Sequence, residues 1–554
     1  MGKATGRNII LIGFSTTGKT RVGAEIARRL GWQVMDTDNR IVEMAGKPIE
    51  SIFAEDGEAR FREYEKAALA EACSHDRAVI ACGGGIVVDP SNRELMSDSG
   101  IVILLEARPE TIYQRLSSNA GDEVRPLLAG DNPMQNIKDL KEKRQMLYNE
   151  ASDWTVRTDN LTIEEVCDEV IRGWHYGIRR KDDIYSANVD ANGSSSVVVT
   201  TSGAYSIFVG YGILESLGTK LKDAALSGAL SVISDDNVYN IYGKRVEQNL
   251  KDVGYDVGSY VVPAGEQSKS LDVAAKIYDW MVERRVERGS AVIALGGGVV
   301  GDLAGYVAAT YLRGLPLVHV PTSLLAMVDA SIGGKVAVDH AQGKNLIGSF
   351  YQPRLVLSDV ETPATLPQRE LTSGWAELIK HALILDADLF DFLDSRAQKL
   401  VALDKEATVE AVARSAAIKA GVVSVDEKEA GLRTILNYGH TIAHGLETAS
   451  GYDTFLHGEA VSIGMMGAAM ISQRLGLISN EVVEKQKAIL EKYGLPVIYR
   501  DIDSSKVLEA IELDKKVKGK KVRWVLLEDI GSTVIRDDVP QDLASEVIGE
   551  LTSS

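Results

Sequence analysis

A glycine-rich loop near the start of the chain sets the tightest limit on how this sequence can fold. An apolar, β-branched run, residues 8–14, leads into GFSTTGKT, residues 13–20, and the helical sequence RVGAEIARRL follows. A strand, a glycine loop and a helix in this order are typical of a phosphate-binding loop, whose backbone amides surround the phosphates. In such a loop Lys19 neutralises phosphate and Thr20 offers its hydroxyl to Mg²⁺. The sequence therefore predicts a buried parallel strand and a nucleotide site here.

Charged side chains after this loop indicate a metal and a polar substrate. Asp36 and Asp38 follow the next predicted strand, where one carboxylate could hold the metal's water shell and the other could bind a substrate hydroxyl. Arg62, Arg125 and Arg144 come next in the chain, with a run of three glycines after the first of them. Each arginine taken singly would most often be an exposed surface residue. Their order relative to the loop is what suggests a site.

In this order the motifs resemble those of the shikimate kinase family over roughly residues 7–173. The resemblance implies that ATP with Mg²⁺ phosphorylates shikimate. It implies nucleotide and metal binding by Gly13, Gly18, Lys19 and Thr20, shikimate binding by Asp38, Arg62, Gly83, Gly84, Gly85 and Arg144, and a mobile lid carrying Arg125. One position departs from the family, because Thr16 stands where its loop usually has a glycine, which bears on the flexibility of the loop rather than on its grip on phosphate.

A second group of reactive side chains lies in residues 437–459, which hold three of the eight histidines of the chain. His440 and His444 are four residues apart, so a helix would place both imidazoles on one face. His457 follows a break where the chain can fold back, and Glu377 in SGWAELIKHALI could supply a further ligand. Three imidazole and carboxylate ligands with an open position are typical of a catalytic zinc site. The plainer alternative is that such histidines are solvated or satisfied core residues.

Two other features favour the catalytic interpretation. GGGVVGD, residues 296–302, ends a predicted strand and lets backbone approach a pyrophosphate at a helix N-terminus, although it is not the GxGxxG fingerprint. Four cations, Lys335, Lys344, Lys380 and Arg433, could bind an anion. Together these features predict a nucleotide cofactor, a metal and an anionic substrate in one place.

Length, charge and cysteine usage narrow the protein class. A chain of 554 residues is too long for one core, so two to four domains are expected. A net charge of −18 argues against binding to nucleic acid or to anionic membranes. Cys73, Cys82 and Cys167 lack CxxC spacing and indicate reduced thiols of a cytoplasmic protein. We expect neither a signal peptide nor a membrane span, since no apolar run is long enough.

Strand and helix signals divide the chain into four parts. Residues 1–173 form the phosphate-loop domain with a parallel sheet, and the polar, aperiodic residues 174–196 are a predicted linker. Strand signals then alternate with helical ones through residues 197–361, which predicts a Rossmann-like α/β domain with a parallel sheet. Residues 362–554 are Ala- and Leu-rich and predict a mostly α-helical, metal-binding domain.

The second part of the chain, roughly residues 197–540, resembles the 3-dehydroquinate synthase family. Seven ordered motifs carry the resemblance: GEQSK, GGGVVGD, RGLPLVHVPTSLLAMVDASIGGK, GKNLIGSFYQP, SGWAELIKHALI, NYGHTIAHGLE and LHGEAVSIGM. It implies the conversion of 3-deoxy-D-arabino-heptulosonate 7-phosphate to 3-dehydroquinate with phosphate release, using NAD and Zn²⁺ or Co²⁺. It also implies a homodimer through this half. The whole chain thus resembles a fusion of shikimate kinase with 3-dehydroquinate synthase.

The same resemblance implies roles for individual residues. The metal ligands are Glu377, His440 and His457, with His444 in the catalytic set beside them. NAD is held between the α/β and α domains by Asp235, Glu266, Lys269, Gly298, Val299, Val300, Gly301, Asp302, Thr322, Ser323, Thr362 and Thr365. The substrate is surrounded by Arg313, Asp329, Lys335, Lys344, Asn345, Lys380, Lys419, Arg433, Asn437 and one of Lys515 and Lys516, where Lys335 and Lys344 also border the cofactor.

Two rival hypotheses remain for this half. A metal-dependent polyol dehydrogenase of the same architecture would share the glycine cluster and the metal but would release NADH. It does not require the anion-binding residues Lys335, Lys344, Asn345 and Arg433. A nucleotide-sensing scaffold without chemistry is the other rival, and the presence of every candidate catalytic residue argues against it.

Overall fold

A computed structural model describes residues 8–118, 133–159, 161–181, 194–200, 203–429, 431–451, 454–500, 502–518 and 522–552. The chain forms two compact units, Met1–Asp183 and Ile184–Ser554. Each unit contains its own parallel sheet, so the predicted α/β class with a helical C-terminal part is confirmed. Within the described residues no helix is both long and apolar enough to cross a bilayer.

The first unit is built on a five-stranded parallel sheet with helices on both faces. Its strands are β1 Asn8–Ile12, β2 Gln33–Asp36, β3 Ala78–Ala81, β4 Gly100–Glu106 and β5 Trp154–Arg157, in the order β2-β3-β1-β4-β5. Its helices are α1 Lys19–Leu30, α2 Thr37–Ala45, the single turn α3 Ile49–Ser51, α4 Gly57–Cys73, α5 Pro90–Ser99, α6 Pro109–Ser118, α7 Pro133–Ala151 and α8 Ile163–Lys181.

The apolar run of β1 is explained by burial on both faces of this sheet. Ile9 and Leu11 pack with α1 and α8, whereas Ile10 and Ile12 pack with α4 and α5 on the opposite face. Alternate side chains of a strand point to opposite faces, so a strand covered on both faces is apolar at almost every position. The exception is Asn8 at the start of β1, whose buried amide bonds to the His75 carbonyl and to Ala78 N. The ends of β1, β2 and β3 then meet at one edge of the sheet, which brings the segments that follow them together.

The second unit contains a seven-stranded sheet, two hairpins and a large helical layer. Its strands are β6 Ser194–Thr200, β7 Gly203–Gly210, β8 Leu230–Asp235, β9 Val257–Val262, β10 Ala291–Gly296, β11 Leu317–Pro321, β12 Lys335–His340, β13 Gly343–Phe350, β14 Leu355–Asp359, β15 Trp524–Asp529 and β16 Ser532–Arg536. Its helices are α9 Leu217–Asp223, the single turn α10 Asp236–Val238, α11 Lys244–Asp252, α12 Leu271–Glu283, α13 Gly298–Thr310, α14 Gln368–Leu385, α15 Ala387–Ser395, α16 Ala397–Val401, α17 Lys405–Val425, α18 His440–Ala449, α19 His457–Arg474, α20 Asn480–Lys492, α21 Ser504–Lys518 and α22 Gln541–Thr552.

The large sheet has the strand order β6-β7-β14-β11-β10-β8-β9. All its neighbouring strands are parallel except β6 and β7. The strand signals that alternate with helical ones through residues 197–361 correspond to β7, β8, β9, β10, β11 and β14. The hairpins β12–β13 and β15–β16 were not expected, and the second lies within the part predicted to be helical. The strands β12 and β13 are partly exposed and lack the continuous apolar runs of buried parallel strands, so their signal is weaker. In β15 the buried run from Trp524 to Leu527 was an available signal.

The predicted linker, residues 174–196, overlaps regular structure at both ends. Helix α8 continues to Lys181 and strand β6 begins at Ser194. The ring of Trp174 packs edge-on against Trp32, with centroids 5.0 Å apart. A Cβ added to Gly177 would lie 2.4 Å from Ile101, so the end of α8 rests directly on the sheet. The predicted bounds of the four segments stay a prediction.

We expect a fragment of residues 1–183 to unfold at higher denaturant than a fragment of residues 1–173. The shorter one lacks Trp174, and loss of a buried tryptophan side chain costs roughly 3–5 kcal/mol. Equilibrium unfolding in urea measures the difference. Equal stability of the two fragments would mean that the last turns of α8 contribute nothing to this unit.

Candidate functional site

The phosphate-binding loop of the first unit is folded around its lysine. Lys19 Nζ donates to the carbonyl oxygens of Gly13 and Phe14, each at 2.8 Å. Gly13 has φ 138°, and a Cβ there would lie 2.2 Å from the Leu105 carbonyl oxygen, so no other residue fits. Gly18, at φ 97°, turns the chain into α1. The loop thus places the lysine ammonium at its centre, as a phosphate site requires.

Thr20 and Asp36 together form a candidate magnesium position. The Thr20 hydroxyl donates to Asp36 Oδ2 at 2.7 Å. The other carboxylate oxygen of Asp36 caps α2 by accepting from the backbone of Asp38 and Asn39, at 3.0 and 3.2 Å. Of the two carboxylates left open by the sequence, Asp36 is therefore the one beside the metal-binding hydroxyl. Asp38 is then the carboxylate available to the substrate hydroxyl.

Thr16 adopts a backbone conformation that glycine would adopt without strain. Its φ is 63°, in the left-handed region, where a β-branched residue is strained by about 1–2 kcal/mol. Its hydroxyl donates to the Ser15 carbonyl at 2.6 Å. The loop therefore keeps the glycine-type geometry although it has lost the glycine.

The residues assigned to shikimate lie together at the same edge of the sheet. A Cβ on Gly83 would lie 2.5 Å from Asp38 Oδ1, and one on Gly85 would lie 2.8 Å from Arg62 Nη1. Arg144 Nη1 donates to the Gly84 carbonyl at 2.9 Å. The three glycines thus form a floor without side chains, next to a carboxylate and two guanidinium groups. Arg125 lies outside the described residues.

Arg62 is held by two glutamates that the sequence reasoning missed. Its guanidinium contacts Glu65 at 2.7 Å and Glu58 at 3.0 Å. Glu65 is 2% exposed, and burial raises the pKa of its carboxyl against the opposing effect of Arg62. The sequence did contain a signal for these contacts, because Glu65 and Glu58 lie three and four residues from Arg62, and residues at those spacings are neighbours on a helix.

In the second unit, three of the four predicted metal-site residues converge on one point. His440 Nε2 lies 3.8 Å and His457 Nε2 3.6 Å from Glu377 Oε1. The three ligand atoms lie within 4.8 Å of one another, a spacing at which they could hold one metal ion. His440 opens α18 and His457 opens α19, while Glu377 projects from α14. The turn before His440 requires Gly439, where a Cβ would lie 2.7 Å from Met465 N.

The chemistry of these donors fits a divalent metal such as zinc. The Glu377 carboxylate is fully buried; its Oε2 is paired with the Lys380 ammonium, whereas its Oε1 accepts no hydrogen bond from the described residues. Burial alone would raise the pKa of this carboxyl, but Lys380 and the two imidazoles hold it well below its usual range. Buried unsatisfied carboxylate oxygens are costly, and a metal ion would satisfy them. The sequence prediction of these three ligands is therefore consistent with the geometry.

His444 and Lys380 lie next to this triad in different ways. The His444 ring stands at 87° to the His440 ring with centroids 5.5 Å apart, and its side chain is exposed. Lys380 forms an ion pair with Glu377 Oε2, and both side chains are buried. His381 could join Glu377 and Asp329 as a second ligand group, but Lys419 already occupies Asp329. Burial lowers the pKa of His381 to about 3, so this ring is neutral.

Lys335, Arg433 and Lys419, three of the predicted substrate-binding cations, are each paired with a carboxylate or a carbonyl. Lys335 forms an ion pair with Glu429, which also accepts from Asn437 Nδ2 at 2.7 Å. Arg433 is buried and donates to the carbonyls of Gly333 and Glu427, at 3.1 and 2.7 Å. Burial lowers the pKa of this guanidinium, and Glu429, missed from the sequence, offsets part of that effect.

Lys419 and Asp329 form another of these pairs. The ammonium donates to the Asp329 carbonyl at 2.6 Å and also contacts its carboxylate. Burial lowers the pKa of Lys419 to about 8, although Asp329 opposes the shift. Lys419 projects from α17, while Asp329 lies in the turn that follows β11.

The residues assigned to NAD gather at the carboxyl edge of the large sheet. Gly298, Val299, Val300, Gly301 and Asp302 form the start of α13, directly after β10. The first turn of a helix leaves amide groups without helical partners, which suits a pyrophosphate. Gly297 and Gly298 keep this end bare, since added Cβ atoms would meet only Ser323 and Ala330.

Side-chain contacts connect this glycine turn to the neighbouring segments. Lys269 contacts Asp302 at 2.6 Å and Glu266 at 3.9 Å. Lys269 also donates to Asn345, and Lys344 contacts Glu266 at 3.6 Å. Burial raises the pKa of Asp302 to about 6 against the effect of Lys269. The cofactor set and part of the substrate set are therefore contiguous.

Three threonines continue this edge toward the helical layer. Thr362 Oγ1 donates to the Thr322 carbonyl at 3.4 Å, and Tyr242 hydroxyl contacts Thr365 Oγ1 at 3.0 Å. Asp235 lies at the end of β8 and caps α10 through Val238 N at 2.9 Å. The ends of β8, β10 and β11 thus meet there.

Two predicted contacts are not seen. Arg313 is exposed at φ 69°, and its side chain forms no ion pair or hydrogen bond with the described residues of the cluster. The side chains of Lys515 and Lys516 lie outside what the structure describes.

Comparison with known proteins divides the chain in the same way. A family model described as shikimate kinase matches residues 15–174. Models described as 3-dehydroquinate synthase N-terminal and C-terminal match residues 259–373 and 374–517. The dehydrogenase and scaffold alternatives gain no support from these matches.

Individual relatives agree with the family models. The 3-dehydroquinate synthase of Crocosphaera subtropica is 49% identical over 352 residues, which are 63% of this chain and 96% of that protein. That of Geotalea uraniireducens is 46% identical over 349 residues, covering 63% and 97%. Among solved structures, 2-epi-5-epi-valiolone synthase from Streptomyces hygroscopicus, with NAD⁺ and Zn²⁺ bound, is 29% identical with a TM-score of 0.59, covering 63% of this chain and 96% of that one.

The two sites and these similarities lead to one conclusion. The chain belongs to the 3-dehydroquinate synthase family and carries a shikimate kinase domain before the synthase, which makes it a bifunctional enzyme of the shikimate pathway.

Proposed function

We propose that the kinase half transfers a phosphoryl group from ATP to shikimate with the residues assigned above. Lys19 neutralises phosphate charge, which grows in importance as the transition state forms. Thr20 holds Mg²⁺ when it is bound, and Asp38 receives the substrate hydroxyl. Arg62 and Arg144 grip the substrate carboxylate, since guanidinium groups match it bidentately. The observation that supports these roles is the common edge on which Asp38, the glycine floor and both arginines lie.

We propose that the synthase half releases phosphate from 3-deoxy-D-arabino-heptulosonate 7-phosphate and closes the ring of 3-dehydroquinate. Bound NAD supplies reversible hydride transfer, and a bound Zn²⁺ or Co²⁺ supplies Lewis-acid stabilisation of a developing alkoxide. Glu377, His440 and His457 would hold that metal. Asp235, Glu266, Lys269 and the start of α13 would hold NAD. The observation that supports the assignment is the convergence of the metal triad within 4.8 Å beside buried cations.

The remaining residues of this half bind and orient the substrate. Lys335, Arg433 and Lys419 provide positive charge for its carboxylate and phosphate. Lys380 lies against Glu377 and would stay close to the substrate oxygens at the metal. His444, beside the His440 ring, would accept or return a proton. Arg313 and Asp329, with Lys344 and Asn345, complete the set.

We also propose that the protein is a cytoplasmic homodimer associated through the synthase half. The three cysteines are free, as expected in a reducing compartment. On β13, Leu346 and Phe350 are 63% and 44% exposed. They lie four residues apart in a strand and hence on one side of it. Exposed apolar side chains grouped in this way are typical of an interface.

Lys19→Ala should abolish phosphorylation of shikimate and leave phosphate release by the synthase unchanged. The variant loses charge stabilisation that is on the order of several kcal/mol in the transition state. A coupled assay for ADP measures the first activity and a phosphate assay the second. The exposed Lys143→Ala is the matched control. Near-normal ADP formation by Lys19→Ala would refute the assignment of this loop.

Treatment with a metal chelator should stop phosphate release, and His440→Ala should do the same by leaving the metal underligated. His340→Ala, at an exposed position of the same unit, should keep full activity. With active enzyme, a trace of NAD should suffice for complete turnover. Accumulation of one NADH per substrate without phosphate would mean that this half is a polyol dehydrogenase.

Sedimentation of the full chain should give the mass of two copies, and Leu346→Lys should shift it to one. Leu513→Lys is the matched control, because Leu513 is 62% exposed on α21. A lysine in the interface would bury an unpaired charge, which costs several kcal/mol. If both variants stay dimeric, the β13 surface is not the interface.

A further inference from the structure

Glu447 belongs to none of the residue sets above, yet its carboxylate contacts a predicted metal ligand. Glu447 Oε1 lies 3.1 Å from His457 Nδ1. Glu447 projects from α18 and His457 opens α19, so the contact joins the two helices that carry the histidine ligands. The side chains of Glu447 and His457 are 15% and 36% exposed, so the contact is partly shielded from solvent.

We propose that Glu447 is a positioning residue for the metal centre. It accepts a hydrogen bond from His457 Nδ1, orients the ring, and strengthens binding of a divalent cation at Nε2. The proposal rests on the proposed metal role of Glu377, His440 and His457. The sequence offered a signal that the motif analysis did not use, because Glu447 ends the histidine motif NYGHTIAHGLE.

The first reason is the tautomer of His457. A neutral imidazole carries one N–H, and a metal needs the lone pair of the other nitrogen. A carboxylate at Nδ1 keeps an N–H on that nitrogen, so a metal can take the lone pair of Nε2, which faces Glu377 Oε1 at 3.6 Å. Carboxylate partners of this kind raise the basicity of histidine ligands.

The second reason is the contrast with the other histidine ligand. His440 Nδ1 lies 3.2 Å from the Tyr438 carbonyl oxygen, which is a neutral acceptor. That contact fixes the same tautomer without adding charge. Of the two described histidine ligands, only His457 has a carboxylate at Nδ1, the nitrogen that points away from the metal position. The two rings are therefore not equivalent.

The third reason is the charge at the site. Glu377 is the anionic member of the triad, but the Lys380 ammonium pairs with it inside the protein, where the two side chains are 0% and 2% exposed. This pair cancels most of the negative charge offered to a metal. Glu447 supplies a second carboxylate one imidazole ring away from the metal position, and so restores attraction for a divalent cation.

A purely structural role for Glu447, holding α18 against α19, is the competing explanation. These helices already touch through glycines, since a Cβ on Gly464 would lie 2.1 Å from the Gly439 carbonyl oxygen. Gly439 itself approaches Met465 N closely. Their packing therefore does not depend on the carboxylate, and we expect Glu447→Gln to fold normally.

The test measures metal affinity directly on the full chain. Zn²⁺ is titrated in competition with a chromophoric chelator against the wild type, Glu447→Gln and Glu447→Ala. We expect about 10–100-fold weaker Zn²⁺ binding in both variants, with an unchanged unfolding midpoint of the metal-free protein. With Co²⁺ as probe, the visible absorption bands should shift, because the His457 ring is no longer held in place.

Glu459→Gln is the matched control. The Glu459 side chain is also 15% exposed, contacts Arg369 at 2.7 Å, and accepts from Leu456 N at 2.9 Å. Glu459→Gln removes the same charge two residues from His457, but Glu459 does not contact His457 Nδ1. The Zn²⁺ affinity of this variant should therefore stay close to that of the wild type.

Two results would overturn the proposal. One is unchanged Zn²⁺ affinity and Co²⁺ spectrum in Glu447→Gln, and the other is an equal loss of affinity in Glu459→Gln, which would indicate a general charge effect. His440→Ala distinguishes a deeper failure: if its Zn²⁺ affinity matches the wild type, the triad is not the metal site and the proposed function fails with the role of Glu447.

Discussion

The buried ion pair between Glu377 and Lys380 is the interaction on which the synthase site depends. Both residues lie on α14, three positions apart, so the helix itself brings their side chains together. Neither could be buried alone, because an unpaired charge in this environment costs several kcal/mol. Lys380 contacts Oε2 of Glu377 and so leaves Oε1 facing Nε2 of His440 and His457. The packing of α14 against α17 and α19 therefore determines the position of the metal and the nearest substrate-binding ammonium together.

The same principle explains the carboxylates found around the anion-binding residues. Arg62 contacts Glu65, Lys335 contacts Glu429, and Lys269 contacts Asp302. Desolvated cations without partners would be costly, so the protein supplies carboxylates before any substrate arrives. An incoming phosphate or carboxylate must then share or displace these internal partners. Substrate affinity thus depends on how much more strongly each cation binds the substrate anion than the internal carboxylate. The shape of the substrate and the geometry of its contacts are therefore as important as its charge.

Sequence reasoning predicted the fold well where one physical signal dominated. The apolar runs of β1 and β10 predicted buried parallel strands, and the glycine turns after them predicted phosphate-binding edges. It missed the hairpin β12–β13, whose outer positions are exposed and whose pattern is mixed. It also missed Glu65, Glu429 and Glu447, because glutamates are common on surfaces and only the folded arrangement shows which cation or imidazole each one contacts.

Backbone strain was equally invisible in the sequence. Thr16, Asn345 and Glu429 have positive φ values of 63°, 58° and 56°. A non-glycine residue in this region costs roughly 1–2 kcal/mol, and such residues persist where the surrounding structure fixes them. Thr16 lies in the phosphate loop, while Asn345 and Glu429 contact Lys269 and Lys335. Arg77, Ala225, Arg285 and Leu403 adopt the same conformation in turns or bends away from the two sites. Backbone strain alone therefore does not mark a functional site, and at Asn345 and Glu429 it is the contact with a lysine that connects the strained backbone to the site.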